Sequence, residues 1–375
     1  MRIAVNTRLL LPGKLEGIGW FACETLKRIT RANPGHEFMF LFDRPFSKEF
    51  IFSDNINPLV LPPQSRHPLL WYYWFEHSVP RLLRKLKADF YLSPDGFMPL
   101  SITIPSCIVI HDINFIHHPG YHNWLTGKYY RRYFPLFARK ADRIATVSYY
   151  SKNDINQSLG ISTEKIDVVY NGSSEKFIPV SSKDKEVVKN TLTGGNDYFI
   201  YAGSFHKRKN ICRLLQAFDR FKRGTGYDLK LVLAGNRMHN YPEMERTFSE
   251  MSFRNEVIFA GHREQDELRM IYGAASALVY VPLFEGFGLP VLEAMNCDIP
   301  VITSNCTSLP EVAENAALLV DPSNVQSIAD AMQRITEGDG IGKDLVARGR
   351  ERRKVFSWDR TADLLWHSIN RATDR

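Results

Sequence analysis

A chain of 375 residues is too long for one ordinary hydrophobic core and suits two domains of roughly 150–200 residues each. Its 44% hydrophobic content is that of a globular protein. No stretch approaches the ~18 consecutive apolar residues of a membrane helix, which argues against a spanning helix. The 48 basic and 41 acidic residues are well mixed, so the net +7 suits phosphorylated substrates, an acidic membrane surface or nucleic acid without choosing among them.

The opening MRIAVNTRLLLPG is too short in apolar length for a signal peptide and predicts an immediate first strand, Ile3 to Asn6. A loop with Gly13, Gly17 and Gly19 follows, then a helix from Trp20 to Arg31 and a strand from Glu37 to Phe42. This βαβ order implies a parallel sheet. Further strands are predicted at Phe90 to Leu92, Cys107 to His111, Arg143 to Val147 and Val168 to Tyr170, with an aromatic, basic helix from Lys128 to Lys140. Residues 180–196 are polar, end in Gly194-Gly195 and read as a linker. A second series then runs from strand Tyr198 to Ala202 to helix Val325 to Glu337, with strands at 230–234, 257–259, 277–281, 301–303 and 318–320. Helices are predicted among them at 211–222, 264–273 and 291–295. The expected fold class is therefore α/β, with two doubly wound Rossmann-like domains facing a central cleft that receives the ligand. The domains are placed at 1–182 and 183–356, and an amphipathic helix begins at Trp358. The five cysteines are odd in number and widely spaced, which supports neither a disulfide framework nor a zinc knuckle and fits a reducing cytosol.

The most informative stretch is EGFGLPVLE, Glu285 to Glu293. A strand, a glycine-rich turn and a helix start make an anion cradle, because free N–H groups point at the ligand. Two carboxylates beside such a cradle suit the hydroxyls of a ligand that carries both phosphate and sugar. They also suit an ordinary acidic helix start. The run GSFHKRKN, Gly203 to Asn210, again joins a strand to a helix, and its Arg208 and Lys209 are placed to neutralise a departing diphosphate. Gly17 and Gly19 offer backbone N–H groups but lack the third glycine of a dinucleotide fingerprint. His111 and Asp112 end an apolar strand, where His111 is placed to donate to a substrate oxygen. The neighbouring His117, His118 and His122 lack metal-ligand spacing, and no GxSxG elbow surrounds Ser148 or Ser151. The aromatic LLWYYWF, Leu69 to Phe75, with the basic RLLRKLK behind it, reads as core packing or as a membrane-contacting surface.

Taken together, PLFEGFGLPVLEAM with its E-x7-E spacing and the following PVITSNCTSLPEV resemble the family 4 (group 1) retaining glycosyltransferases of the GT-B fold. The resemblance implies that Glu293 holds the nucleotide ribose and Glu285 the donor sugar, with Gly286, Phe287, Gly288 and Leu289 lining sugar and phosphate. It implies a phosphate role for Lys209, a sugar contact for His111, and donor contacts for Gly17, Gly19, Ser148, Gly203 and Ser204. It places the nucleobase at His262-Arg263 and returns the last helix, 357–375, to the first domain. Many members carry arginine where this chain has Ser204, and Arg208 is positioned to supply that charge. The implied reaction moves a hexose, mannose by preference, from an NDP-sugar to a glycan or polyprenyl-linked acceptor of surface polysaccharide. No metal cofactor and no nucleic acid are implied. The implied location is cytoplasmic, with peripheral contact at the inner face of the membrane. Two other classes share the donor machinery: an NDP-sugar epimerase of the same fold, and a non-catalytic sugar-nucleotide-binding subunit.

Overall fold

The computed structural model describes residues 1–236 and 241–374. Its two compact units comprise residues 1–172 with 357–375, and residues 173–356.

The first unit is built on seven parallel strands: β1 (Arg2–Asn6), β2 (Glu37–Phe42), β3 (Ile56–Val60), β4 (Phe90–Ser93), β5 (Ser106–Val109), β6 (Arg143–Thr146) and β7 (Ile166–Val168). They lie in the order β3-β2-β1-β4-β5-β6-β7. The central strands are buried on both faces, as parallel strands covered by helices must be, which is why Ile3, Ala4 and Val5 are all apolar and inaccessible. The helix Gly17–Ala32 covers one face with Phe21, Leu26 and Ile29. The final helix, Trp358–Thr373, packs beside it and against β5 and β6. Thr361 Oγ1 donates to the Tyr170 carbonyl at 2.5 Å, and Arg371 pairs with Asp167 at 2.7 Å. Gly172 permits this docking: a Cβ there would stand 2.3 Å from the Trp358 backbone nitrogen. Arg375, the last residue of the segment expected here, lies outside the described residues.

The second unit holds six parallel strands: β8 (Asp197–Ala202), β9 (Leu229–Ala234), β10 (Val257–Gly261), β11 (Ala277–Tyr280), β12 (Val301–Ser304) and β13 (Leu318–Val320). Their order, β10-β9-β8-β11-β12-β13, is the Rossmann arrangement, with its reversal between β8 and β11. Loops that leave the carboxyl ends of β8 and β11 diverge at that point and open a crevice for a ligand.

Three expectations need correction. The stretch 180–196 is not a linker. Its residues Ser182–Thr193 form a helix, capped by Ser181 Oγ on the Asp184 N–H and closed by Gly194 at φ 68°. Such an N-cap contributes about 1 kcal/mol, enough to favour helix in a polar segment. The unit boundary falls at 172/173 rather than 182/183, because the following residues pack into the second unit. Phe177 lies edge-on to Tyr272 at 5.7 Å, and Val180 rests on Gly273. Gly17 and Gly19 are not loop residues but occupy the first helical turn, where Gly19 fits tightly against Leu15 and the Leu9 carbonyl. The helices Pro242–Glu250 and Ile341–Arg352 and strand β3 are further elements that the sequence reading passed over.

Candidate active site

The loop after β8 begins at Gly203, whose φ of 140° turns the chain out of the sheet. A short 3-10 turn, Lys207–Lys209, follows, with His206 Nδ1 accepting from the Arg208 N–H. Asn210 then takes up a left-handed conformation at φ 63°, and its side-chain amide donates to the carbonyls of Val281 and Pro322 at 2.9 and 2.7 Å. That amide ties the basic loop to the loop after β11. As a result Lys209 is buried at 8% exposure and points inward, whereas Lys207 is exposed.

Glu285 receives both cations. Arg208 Nη1 and Lys209 Nζ each donate to its Oε1 at 2.5 Å. Lys209 also donates to the Tyr280 hydroxyl at 2.5 Å and sits 5.1 Å from that ring's centre. Burial alone raises the pKa of the Glu285 carboxyl. The charges of Arg208 and Lys209, with hydrogen bonds from Lys209 and Tyr280, outweigh it and hold the group below its usual range. Glu285 is therefore an anion at neutral pH.

Gly288, at φ 106°, ends the loop and opens the helix Leu289–Asn296, with Pro290 in the first turn. A Cβ on Gly288 would lie 2.5 Å from Leu309 Cδ2, so both the backbone angle and the space require glycine. The buried Ser308 hydroxyl contacts the carbonyls of Glu285 and Phe287, each at 3.0 Å, which clamps the turn. Glu293 follows one turn into the helix. Burial raises its pKa to about 7, against the opposing influence of the Tyr272 hydroxyl, 3.0 Å from Oε2, and of the Lys209 charge. Arg208, Lys209, Glu285 and Glu293 thus form one cluster at the switch point of the second sheet. Tyr272, Tyr280, Ser308 and Asn210 complete it, and none of these four was foreseen as part of the site. His262 and Arg263 lie beyond β10, their side chains paired with Glu264 and Glu267 at 3.6 and 3.5 Å.

In the first unit, His111 Nε2 lies 2.8 Å from the Pro94 carbonyl. A carbonyl only accepts, so Nε2 carries the proton. Burial lowers the His111 pKa, which keeps the ring neutral and leaves Nδ1 as an acceptor. The donation expected of His111 is thus spent within the protein, and the ring offers a hydroxyl group an acceptor instead. Phe21, from the helix that starts at Gly17, packs edge-on to His111 at 4.9 Å. Ser151 Oγ donates to the His111 carbonyl at 3.2 Å, and Ser148 caps the helix Tyr149–Leu159 on the Ser151 N–H at 3.0 Å. Gly17, Gly19, His111 and Ser148 are in this way gathered at one end of the first sheet. His117 pairs with Asp154 and His122 with Asn114. Among the described residues, no group of three or more His, Cys, Asp or Glu is arranged to hold a metal ion.

Two sequence families match the chain: "Glycosyltransferase Family 4" over residues 16–175 and "Glycosyl transferases group 1" over residues 182–352. The O-antigen chain mannosyltransferase B of Escherichia coli is 29% identical over 358 residues, covering 92% of this chain and 93% of that protein. The O-antigen chain mannosyltransferase RfbU of Salmonella typhimurium is 28% identical, covering 72% of this chain and 71% of that protein. Among solved structures, Anabaena HepE in complex with UDP-glucose superposes with a TM-score of 0.78 at 16% identity, covering 99% of both chains. Sucrose-phosphate synthase from Thermosynechococcus elongatus gives 0.78 at 18% identity, with 98% and 97% coverage. At these identities the structures speak for the fold.

Proposed function

We propose that this chain, which is a glycosyltransferase of the GT-B fold related to the group 1 and family 4 enzymes, transfers a hexose from an NDP-sugar to a glycan or lipid-linked acceptor of surface polysaccharide, with retention of anomeric configuration. Mannose is the favoured sugar, supported by the two mannosyltransferase relatives. The observation that carries the reading is the convergence of Arg208 and Lys209 on Glu285 at the switch point of the second sheet.

Bond cleavage at the sugar leaves growing negative charge on the diphosphate. Two cations fixed before the reaction stabilise that charge without reorganisation. Both cations contact the single Glu285 carboxylate. A bound diphosphate takes over as their counter-ion, and Glu285 turns to accept from hydroxyls of the donor sugar. N–H groups of the turn before Leu289 add to the anion's field. Glu293 accepts from the ribose. His111 Nδ1 accepts from a sugar hydroxyl. The acceptor oxygen bonds to the anomeric carbon as the carbon–phosphate oxygen bond breaks, and its proton passes to the departing phosphate oxygen. No side chain serves as covalent nucleophile. A thermal-shift series with GDP-, UDP-, ADP- and dTDP-sugars tests the donor assignment, since the ligand that binds the folded state raises Tm. One sugar nucleotide is expected to stand out and to lose its effect in Glu293→Gln; no shift with any of the four contradicts the reading.

The acceptor side is read as a peripheral membrane surface. No described helix is long and apolar enough to cross a membrane. Leu69, Tyr72, Tyr73, Trp124 and Leu125 are nevertheless exposed, on the helices Pro68–Tyr73 and Trp124–Lys140, which pack together through Tyr72 and Tyr133 at 6.1 Å. Residues 66–87 and 124–140 carry exposed Arg66, Arg81, Arg84, Lys85, Lys87, Lys128, Arg131, Arg132, Arg139 and Lys140, against the single acid Glu76. Aromatic and basic side chains in this mixture suit the headgroup region of an anionic bilayer. The protein is expected to float with vesicles containing anionic lipid, to be released by salt, and to lose binding on Trp124→Ala with Leu69→Ser. Equal flotation with neutral vesicles, or no effect of the double substitution, contradicts this part.

A further inference from the structure

We propose that Tyr272 is a positioning residue for the donor: its hydroxyl holds Oε2 of Glu293 so that Oε1 is presented to the ribose of the nucleotide. The inference rests on the reading that Glu293 grips the ribose. Its geometric basis is a pair that chain proximity does not require, 21 residues apart, with the Tyr272 hydroxyl 3.0 Å from Oε2. The hydroxyl donates, because a carboxylate oxygen accepts. Glu293 Oε1 has no protein hydrogen-bond partner among the described residues, and the residue keeps part of its surface exposed. One oxygen is thus fixed by the protein and the other is offered outward.

Tyr272 is itself rigidly placed. It is fully buried. The residue before it, Ile271, gives its carbonyl to the Tyr198 hydroxyl at 2.6 Å. The residue after it, Gly273, lies so close to Val180 that a Cβ would come within 2.6 Å of that side chain. Phe177 closes on the ring from the side at 5.7 Å. A carboxylate tethered to such an anchor loses little conformational freedom when the ribose arrives, which is the energetic value of preorganisation.

The tether also acts through charge. The groups that face Glu293 are Tyr272 from helix Gln265–Ala274, Lys209 from the loop after β8, and the Cys297 thiol at the end of its own helix. Burial raises the Glu293 pKa to about 7, and the tyrosine hydrogen bond opposes that rise. Removing the hydroxyl therefore raises the pKa further, and the fully accepting carboxylate persists only at higher pH. Nucleotide affinity in the parent protein is expected to fall as pH drops through neutrality. In Tyr272→Phe that fall moves to higher pH.

The experiment is a titration of the intact protein with the nucleoside diphosphate that binds best, and with its 2′,3′-dideoxy analogue, from one unit below to one unit above neutral pH. The variants are Tyr272→Phe, which keeps the ring packed on Phe177, and Glu293→Gln. Near neutral pH, Tyr272→Phe is expected to weaken the natural nucleotide roughly tenfold, the order of one hydrogen bond to a charged group. It should leave the dideoxy analogue unaffected, and raise the donor KM by a larger factor than it lowers kcat. A penalty of the same size for the dideoxy analogue would show a structural role alone and overturn the proposal. So would parent-like affinity with an unmoved pH limb, given that Glu293→Gln does weaken binding. If Glu293→Gln leaves affinity intact, the ribose reading itself fails, and the inference falls with it.

Discussion

Lys209→Ala is expected to lower kcat by roughly 10²–10³-fold, the range for losing one preorganised donor to a developing oxyanion. The fold should survive, because Arg208 stays as a partner for the Glu285 carboxylate, 2.5 Å from its Oε1. The opposite substitution is harsher on stability. Glu285→Ala removes the one carboxylate that both Arg208 and Lys209 contact, and removing one partner of a buried ion pair costs about 3–5 kcal/mol. The linkage sign follows from the depressed Glu285 pKa. Its pairing stabilises the fold at neutral pH and above, and that contribution disappears as pH falls through the carboxyl's lowered range. Steady-state kinetics of Lys209→Ala at saturating donor, beside urea unfolding, separate the two effects. Unchanged kcat in Lys209→Ala contradicts the assigned role in the leaving-group step.

Gly288→Val is the second large effect. Valine would have to hold φ near 106° and place its Cβ 2.5 Å from Leu309 Cδ2. Left-handed strain of ~1–2 kcal/mol and overpacking of ~1–3 kcal/mol together give a loss of about 2–5 kcal/mol. Leu309 adjoins Ser308, whose hydroxyl holds the carbonyls of Glu285 and Phe287. Displacing Leu309 therefore also shifts the turn that positions Glu285. A lowered urea midpoint together with lost nucleotide binding is the expected result. A variant with parent stability shows that the turn is more plastic than its geometry implies.

The alternation of apolar strands and helices was legible because parallel strands buried on both faces need continuous apolar residues, as in Ile3 to Val5 and Leu278 to Tyr280. The chemistry of EGFGLPVLE and of Lys209 was legible because both motifs are local in the chain. Tyr272, Tyr280 and Ser308 were not, because they act over 21, 71 and 23 residues of separation and leave no short pattern. Residues 180–196 misled by their polarity. Their helix could have been found from Ser181 followed by Asp184 and from Gly194, an N-cap and a left-handed C-cap. Gly17 and Gly19 misled in the other direction, since glycine in a first helical turn looks the same in sequence as glycine in a loop. The protonation of His111 depended on the Pro94 carbonyl, 17 residues away, and no spacing rule carries that contact.

The central claim is transfer with retention, from a nucleotide-bound hexose to an acceptor hydroxyl. It is tested most directly by NMR of the reaction of the purified protein with an α-linked NDP-hexose labelled with ¹³C at the anomeric carbon, in the presence of lipid-linked glycan acceptor. The account predicts that the label moves into a new α-glycosidic bond as free nucleoside diphosphate accumulates, and that this movement fails in Lys209→Ala. A β-linked product, or a donor epimerised at C2 with its nucleotide still attached, would contradict it.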